Sequence, residues 1–176
     1  MTSPALIGLA IGIALLWISA VAGKRPILVW NASASAPIGL YLVICRPPRL
    51  ADHMLVRLPP RLAALAARRG YLPRGAYLLK PVVASQGDQV CRIGTLISVR
   101  GRLAARAQLH DRVGRALPTW QGCHKLQTGE LFLLAVAPDS FDSRYFGAVS
   151  GHAARALLVW EASASVVPDL SECRAT

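Results

Sequence analysis

An uncharged apolar run close to the N-terminus is the feature that most limits how this chain can fold. Residues 5–23 carry no charged side chain, and Ser19 is the only polar one among them. A helix of that length crosses a hydrocarbon core of about 30 Å. The sequence therefore predicts a transmembrane anchor over residues 1–24, one domain over residues 25–165 and a C-terminal tail over residues 166–176.

A cleaved signal peptide is the alternative interpretation of the same run. Ala20, Val21 and Ala22 resemble a small-x-small cleavage site. However, the run is longer than the apolar part of most signal peptides, and no Lys or Arg precedes it. A retained anchor is therefore favoured.

The orientation of the anchor stays open on residue patterns alone. Lys24 and Arg25 follow the run, so the positive-inside rule places the main domain in the cytoplasm. An even number of cysteines in a compact domain indicates instead an oxidising compartment. The chain has four, namely Cys45, Cys91, Cys123 and Cys173.

The net charge of +11 comes mostly from arginine, which supplies seventeen of the twenty basic residues. Such an excess favours contact with an anionic surface, either phospholipid headgroups or nucleic acid. The arginines are scattered among apolar residues and aromatic residues make up only 6% of the chain, which disfavours nucleic acid as a partner.

Short apolar runs separated by Gly, Pro and Asn predict a mainly β domain. Residues 61–69 form the one segment with helical spacing, and Gly70 is suited to end it, which predicts one short inserted helix. A long loop is expected over residues 110–121. The predicted strands cover residues 27–30, 40–44, 54–58, 77–83, 89–93, 131–136 and 154–160, with a hairpin around residues 97–103.

Lys80 lies inside an otherwise apolar predicted strand, residues 77–83. One interpretation is an edge-strand lysine that points to solvent and discourages aggregation. The other is a desolvated lysine whose pKa falls until the amine can act as a general base. Arginine cannot take that role because it does not release its proton.

A Ser-Lys pair also needs a serine in a constrained turn. Ser33 and Ser35 lie in a small-residue stretch that Pro37 and Gly39 close, and a plain linker is the alternative interpretation. No P-loop, CxxC pair or HExxH motif occurs. The four histidines share no metal-ligand spacing and are interpreted as surface residues: His53, His110, His124 and His152.

Three segments in order resemble the signal peptidase I family, and more closely its TraF-type branch of conjugative-transfer peptidases. Residues 35–41 are similar to a Ser-x-Pro-x-Gly-x-Tyr segment that holds the nucleophile. Residues 79–83, followed by Gly87 and Asp88, resemble the strand with the catalytic lysine. Residues 140–147 match the box Ser-x-Asp-Ser-Arg-Tyr-x-Gly. The similarity spans roughly residues 31 to 160 and implies a signal-peptidase-like β domain.

The resemblance implies a role for each site residue. Ser35 is expected to be the nucleophile and Lys80 the general base. Ser33 is expected to donate its hydroxyl to the oxyanion, and Ser140 to orient the lysine amine. No metal or organic cofactor is expected, because every required group belongs to the chain.

A structural ion pair between Asp142 and Arg144 is also implied near the site. Two features depart from the family. Pro81 follows the lysine where Arg is usual, so this position is expected at an edge or beside an unpaired side of the strand. Residues 46–75 have no close counterpart in shorter members.

The resemblance further implies a single-pass protein of the bacterial inner membrane with its catalytic domain in the periplasm. The implied partners are a pilin-like precursor polypeptide, membrane lipid and the conjugative transfer machinery. In that oxidising compartment we predict a disulfide between Cys91 and Cys123, with two buried thiols as the alternative. Pairing of Cys45 with Cys173 is slightly favoured.

Two rival functions are compatible with the sequence. One is a Ser-His hydrolase that acts on a non-peptide ester and uses His53, His110 or His152. The other is a non-catalytic periplasmic assembly factor with a decayed peptidase fold.

Overall fold

The computed structural model describes residues 28–33, 35–44, 46–150 and 153–161. The predicted anchor, the predicted tail, Cys45, His152 and Cys173 lie outside the described residues. Within the described ranges the elements are β1 (Leu28–Asn31), β2 (Gly39–Ile44), β3 (His53–Val56), α1 (Pro60–Arg69), β4 (Leu78–Ala84), β5 (Gln89–Ile93), β6 (Leu96–Val99), β7 (Arg102–Arg106), β8 (Gly122–Lys125), β9 (Phe132–Leu133), α2 (Ser143–Phe146) and β10 (Ala153–Glu161).

The first and the last strand of the described chain, β1 and β10, belong to one six-stranded antiparallel sheet. Its order is β1-β2-β10-β3-β4-β9, so the last strand lies between the second and the third. Leu157 of β10 stands opposite Leu42 of β2, and Ala156 stands opposite both Val43 and His53. This arrangement places β4, the strand with Lys80, inside the sheet between β3 and β9.

A second, four-stranded sheet continues from β4 through a turn at residues 85–88. Its order is β7-β6-β5-β8, and all of its pairings are antiparallel. Cys91 of β5 stands opposite Cys123 of β8, and the two are joined by a disulfide, as predicted. The bond fastens β8, an exposed strand with little apolar burial, to the rest of this sheet.

The inserted helix α1 ends at Gly70 as predicted and begins at Pro60, one residue before the predicted range of residues 61–69. Pro60 occupies the first turn, where its missing N–H breaks no helical hydrogen bond. Gly70 adopts the left-handed conformation, with φ of 73°, and Tyr71 N–H donates to Ala66 O at 2.9 Å. Ala66 is buried with Leu58 and Leu78, so the helix packs on the start of β4.

Three parts of the fold differ from the sequence prediction. The predicted strand over residues 131–136 contains only the two residues of β9. Leu134 N–H still donates to Pro81 O of β4, but Ala135 N–H donates to the side chain of Asp142, so the pairing with β4 ends there. Val136 is consequently 99% exposed. Strand β8 and the single-turn helix α2 were not predicted.

Pro81 is accommodated within a strand that is not a sheet edge. It stands opposite His53 of β3, while the pairing with β9 begins only at Val82. The position at which proline lacks an N–H is therefore at the end of the hydrogen-bond ladder between β4 and β9. This agrees with the expectation of an unpaired side of the strand.

The mainly β architecture with few helices is consistent with a signal-peptidase-like fold. Among the residues that the structure describes, no helix is both long and apolar enough to cross a membrane.

Candidate active site

The turn between β1 and β2 presents the predicted nucleophile. Ser35 lies there half-buried, and the buried side chain of Asn31 organises the residues around it. The Asn31 amide donates to the carbonyls of Ser33, Ala36 and Pro37 at 2.9 to 3.0 Å. Since these bonds span at most six residues, the turn is held by contacts within its own sequence.

The same asparagine also orients Ser33. Its Oδ1 accepts the Ser33 N–H at 3.1 Å and the Ser33 hydroxyl at 2.8 Å. The hydroxyl oxygens of Ser33 and Ser35 are 2.7 Å apart. Because Ser33 has one hydroxyl proton and gives it to Asn31, Ser35 is the donor in the contact between the serines.

Lys80 lies in the middle of β4 with only 5% of its surface exposed. This burial excludes the interpretation of Lys80 as an edge-strand lysine in solvent. Its amine donates to Ser140 Oγ, in a contact that joins two residues sixty positions apart in the sequence. Burial is the main reason that the pKa of Lys80 is lowered to about 8; Asp142 and Asp139 oppose this shift and Arg144 adds to it.

Behind the lysine, Asp142 and Arg144 form the predicted ion pair. Asp142 is 0% exposed and Arg144 is 2% exposed, with 3.2 Å between Asp142 Oδ2 and Arg144 Nη2. Asp142 also accepts the N–H groups of Ala135 and Arg144, at 3.0 and 3.1 Å. Burial raises the pKa of Asp142, against the opposing pull of Arg144 and the N–H donors.

Arg144 ties the loop before α2 to the body of the domain. Its guanidinium donates to the carbonyls of Ala135, Ala137 and Pro138. These bonds fix the loop that carries Ser140 and therefore the position of the hydroxyl that meets the Lys80 amine.

A cleft of about 630 Å³ brings four predicted site residues together, Ser33, Ser35, Lys80 and Ser140. Asp142 and Arg144 lie behind its surface, and the Cys91–Cys123 disulfide lies away from its lining. None of the described histidines lines the cleft. His124 instead contacts Glu130 at 2.7 Å on the protein surface.

The nucleophile and the base are not hydrogen-bonded to each other in this state. Ser35 Oγ lies 3.4 Å from Leu79 O, the carbonyl just before Lys80, and its other contact is Ser33. Within the described part of the chain no hydrogen bond joins Ser35 Oγ to Lys80 Nζ. Catalytic hydrogen bonds of free enzymes are often formed only when substrate binds.

Two residues that support the site were missed from the sequence. Asn31 is one, and its position directly before a turn of small residues is the signal that indicates a local side-chain cap. Arg92 is the other: it is 2% exposed and donates to Arg144 O at 2.6 Å and to Gly94 O at 3.0 Å. A single Arg in a strand gives no comparable sequence signal.

Residues 2–160 match the family described as signal peptidase, peptidase S26. A plasmid transfer protein TraF of Escherichia coli is 33% identical over 132 residues, which cover 68% of this chain and 74% of that protein. A probable conjugal transfer protein TraF of Sinorhizobium fredii is 34% identical over 131 residues, 68% of each chain. A conjugal transfer protein TraF of Agrobacterium fabrum is 35% identical over 131 residues, 68% of this chain and 73% of that protein. The chain therefore belongs to the signal peptidase family, peptidase S26.

Proposed function

We propose that this member of the signal peptidase family is a serine endopeptidase in which Ser35 is the nucleophile and Lys80 the general base. The observation that carries the proposal is the burial of Lys80, whose amine meets Ser140 in the same cleft as Ser35. A buried cation is unfavourable for stability. A lysine that acts as a general base must be neutral before it accepts a proton, and burial favours that neutral form.

The lowered pKa makes Lys80 usable near neutral pH. With a pKa of about 8, about a tenth of the amine is neutral at pH 7. A lysine with the ordinary pKa of about 10.4 would be neutral in less than about one molecule in a thousand. Ser140 accepts one amine proton and so directs the remaining lone pair of the neutral amine.

The proposed reaction begins when the Ser35 hydroxyl turns from Ser33 towards Lys80. Ser35 Oγ attacks the scissile carbonyl, Lys80 takes the hydroxyl proton and later passes it to the leaving amine. Water then hydrolyses the acyl-enzyme. The Ser33 hydroxyl leaves Asn31 Oδ1 and, with the Ser35 backbone N–H, donates to the oxyanion, where one such donor contributes roughly 3–4 kcal/mol.

The substrate we propose is an exported, pilin-like precursor with small residues before the scissile bond. The relatives are named as plasmid or conjugal transfer proteins, which supports a role in the conjugative transfer machinery. We place the catalytic domain in the periplasm and the anchor over residues 1–24 in the inner membrane. That placement is supported by the envelope context of the family and by the Cys91–Cys123 disulfide.

The test compares the size of the pilin precursor in cells that carry Ser35→Ala or Lys80→Ala. Both variants are expected to leave the precursor unprocessed. Ser150→Ala and Lys125→Ala are matched controls, because both residues are exposed and lie outside the cleft; they are expected to process normally.

The rival functions give different results in the same gel. A Ser-His hydrolase predicts that Lys80→Ala still processes the precursor. A non-catalytic assembly factor predicts that Ser35→Ala changes neither precursor size nor conjugation frequency. Either result contradicts the proposed dyad.

A further inference from the structure

The cleft that holds Ser35 and Lys80 extends to a second wall built by parts of the chain outside the three sequence segments. The end of α1 contributes Arg69 and Tyr71, and the loop over residues 108–117 contributes Asp111 and Arg115. The C-terminal end of the inserted helix α1 therefore lines the cleft.

Three arginines line this part of the cleft, and two of them are neutralised by carboxylates. Arg115 Nε donates to Asp111 Oδ2 at 2.6 Å, and Arg112 forms an ion pair with Asp139. Arg69 differs, because its hydrogen-bond acceptors are neutral: Ala116 O at 2.7 Å and Tyr71 Oη at 3.5 Å. Among the described residues no carboxylate lies within ion-pair distance of Arg69.

Both hydrogen bonds of Arg69 use the same nitrogen, Nη1. The Nε and Nη2 groups make no hydrogen bond to the described residues. They lie on one edge of the guanidinium, and that edge can donate two parallel hydrogen bonds to a carboxylate. The side chain is only partly exposed, and it lines the cleft that holds Ser35 and Lys80.

The neighbours of Arg69 hold it in place before any ligand binds. Tyr71 Oη, which accepts from Arg69, donates to Asp111 Oδ2 at 2.5 Å. Arg115 Nη2 donates to Arg69 O at 3.1 Å, and its guanidinium lies 5.6 Å from the centre of the Tyr71 ring. A guanidinium positioned in this way loses less conformational freedom on binding.

We propose that Arg69 is a specificity-determining residue that binds a carboxylate of the substrate, at a distance from the scissile bond and in the same cleft. The inference rests on the proposed peptidase function and adds a substrate class: precursors with an acidic group near the cleavage site. The carboxylate belongs to an Asp or Glu side chain or to the C-terminus of the substrate, and these two sources have the same chemistry.

The contact with Ala116 O also gives Arg69 a structural role, joining α1 to the loop. A purely structural Arg69 would affect all substrates alike. A carboxylate-binding Arg69 affects acidic substrates more than their neutral analogues, so the difference between paired substrates separates the two roles.

The experiment uses the full chain and synthetic peptides with small residues before the scissile bond. One Glu is moved through the positions on both sides of that bond, and each peptide is paired with its Gln analogue. A second arm compares peptides with a free C-terminal carboxylate and with a C-terminal amide. The variants are Arg69→Gln, Arg69→Lys and, as a matched control, Arg68→Gln, which changes an exposed neighbour outside the cleft.

For at least one peptide pair, the wild-type protein is expected to show about tenfold higher kcat/KM on the acidic member. Arg69→Gln is expected to abolish that preference while still cleaving the neutral member. Arg69→Lys retains part of it, because the charge remains without the planar fork. Arg68→Gln leaves it unchanged.

The proposal is overturned if the wild-type protein shows no preference in any pair, or if Arg69→Gln lowers both members equally. Binding of the same pairs to the Ser35→Ala variant, measured by calorimetry, separates this inference from the proposed function. Acidic-peptide binding that Arg69→Gln abolishes in the Ser35→Ala background, together with a wild-type protein that cleaves none of the peptides, would support the inference and contradict the peptidase. Peptidase activity that depends on Ser35 but shows no acidic preference would do the opposite.

Discussion

The serine side and the lysine side of the cleft are built in opposite ways. On the serine side, one buried asparagine holds a turn through bonds to residues at most six positions away, and the nucleophile remains half-exposed. On the lysine side, Lys80, Asp142 and Arg144 are all buried, and the contact between Lys80 and Ser140 spans sixty positions.

This difference shows how the two halves of a dyad can have different physical requirements. A nucleophile must be reached by substrate, so local hydrogen bonds in an exposed turn suit it. A lysine base must lose water, which requires burial and therefore contacts from distant parts of the chain. Substitutions on the lysine side should accordingly change the free energy of unfolding most. Substitutions on the serine side should change catalytic activity more than stability.

The largest effect on stability is expected from Arg144→Met. The change leaves Asp142 buried without its ion-pair partner and removes the bonds to three loop carbonyls, so the free energy of unfolding should fall by about 3–5 kcal/mol. Urea unfolding at pH 7 measures it. Arg112→Met removes an exposed ion pair and should change little; a loss as large as that of Arg144→Met would contradict the contrast.

Lys80→Met is expected to stabilise the protein while abolishing activity. The pKa of Lys80 is about 8 in the folded state and 10.5 in the reference state, so the folded chain binds fewer protons between these values. The stability of the wild type therefore rises from about pH 8 to pH 10.5, and below pH 8 the buried charge costs about 3 kcal/mol. Urea unfolding should show Lys80→Met more stable by up to that amount at pH 7.

The advantage of Lys80→Met should shrink as the pH rises from about 8 to 10.5, and above 10.5 the wild-type amine is neutral in both states. Lys125→Met, at an exposed site, serves as the control and should show no such trend. A Lys80→Met variant that is less stable than the wild type at pH 7 would show that the folded protein does not disfavour the charged amine.

A smaller effect on stability is expected on the serine side, from Asn31→Ala. The substitution leaves the Ala36 and Pro37 carbonyls without their amide donor and should lower the free energy of unfolding by about 1–3 kcal/mol. The value of kcat should fall about tenfold or more, because Ser33 and Ser35 lose their shared anchor. Urea unfolding and peptide-cleavage kinetics measure both.

Tyr41→Phe offers a graded comparison for Asn31→Ala, since it removes one hydroxyl bond to the Pro37 carbonyl of the same turn. Its effect on kcat should be smaller. Equal effects from the two substitutions would mean that Asn31 has no special part in holding the serines.

The contrast between the two sides also explains which parts could be predicted from sequence. Local signals gave correct predictions: Gly70 at the end of α1, the β5 range, and the serine turn. The burial of Lys80 could only be suspected, because an apolar strand with one lysine fits an edge as well as an interior position. Its interior position comes from β3 and β9, which pair on either side of β4.

The missed elements lack a local signal altogether. Strand β8 is exposed at all four positions, so it shows no apolar alternation, and backbone pairing and the disulfide to β5 hold it. Helix α2 is a single turn whose start depends on Asp142, which caps Arg144 N–H. Arg69 was not recognised as a cleft residue because its position depends on contacts between α1 and the loop over residues 108–117.

The most direct test of the central claim is the pH dependence of kcat/KM for cleavage of a peptide that the wild type processes and Ser35→Ala does not. If Lys80 is the base, kcat/KM rises with pH through a single ionisation near 8, the pKa of the buried amine. A histidine base would instead give a rise near 6.5, and a solvent-exposed lysine a rise near 10.4. Either of those profiles, or a rate independent of pH between about 6 and 9, would contradict a Ser35–Lys80 dyad.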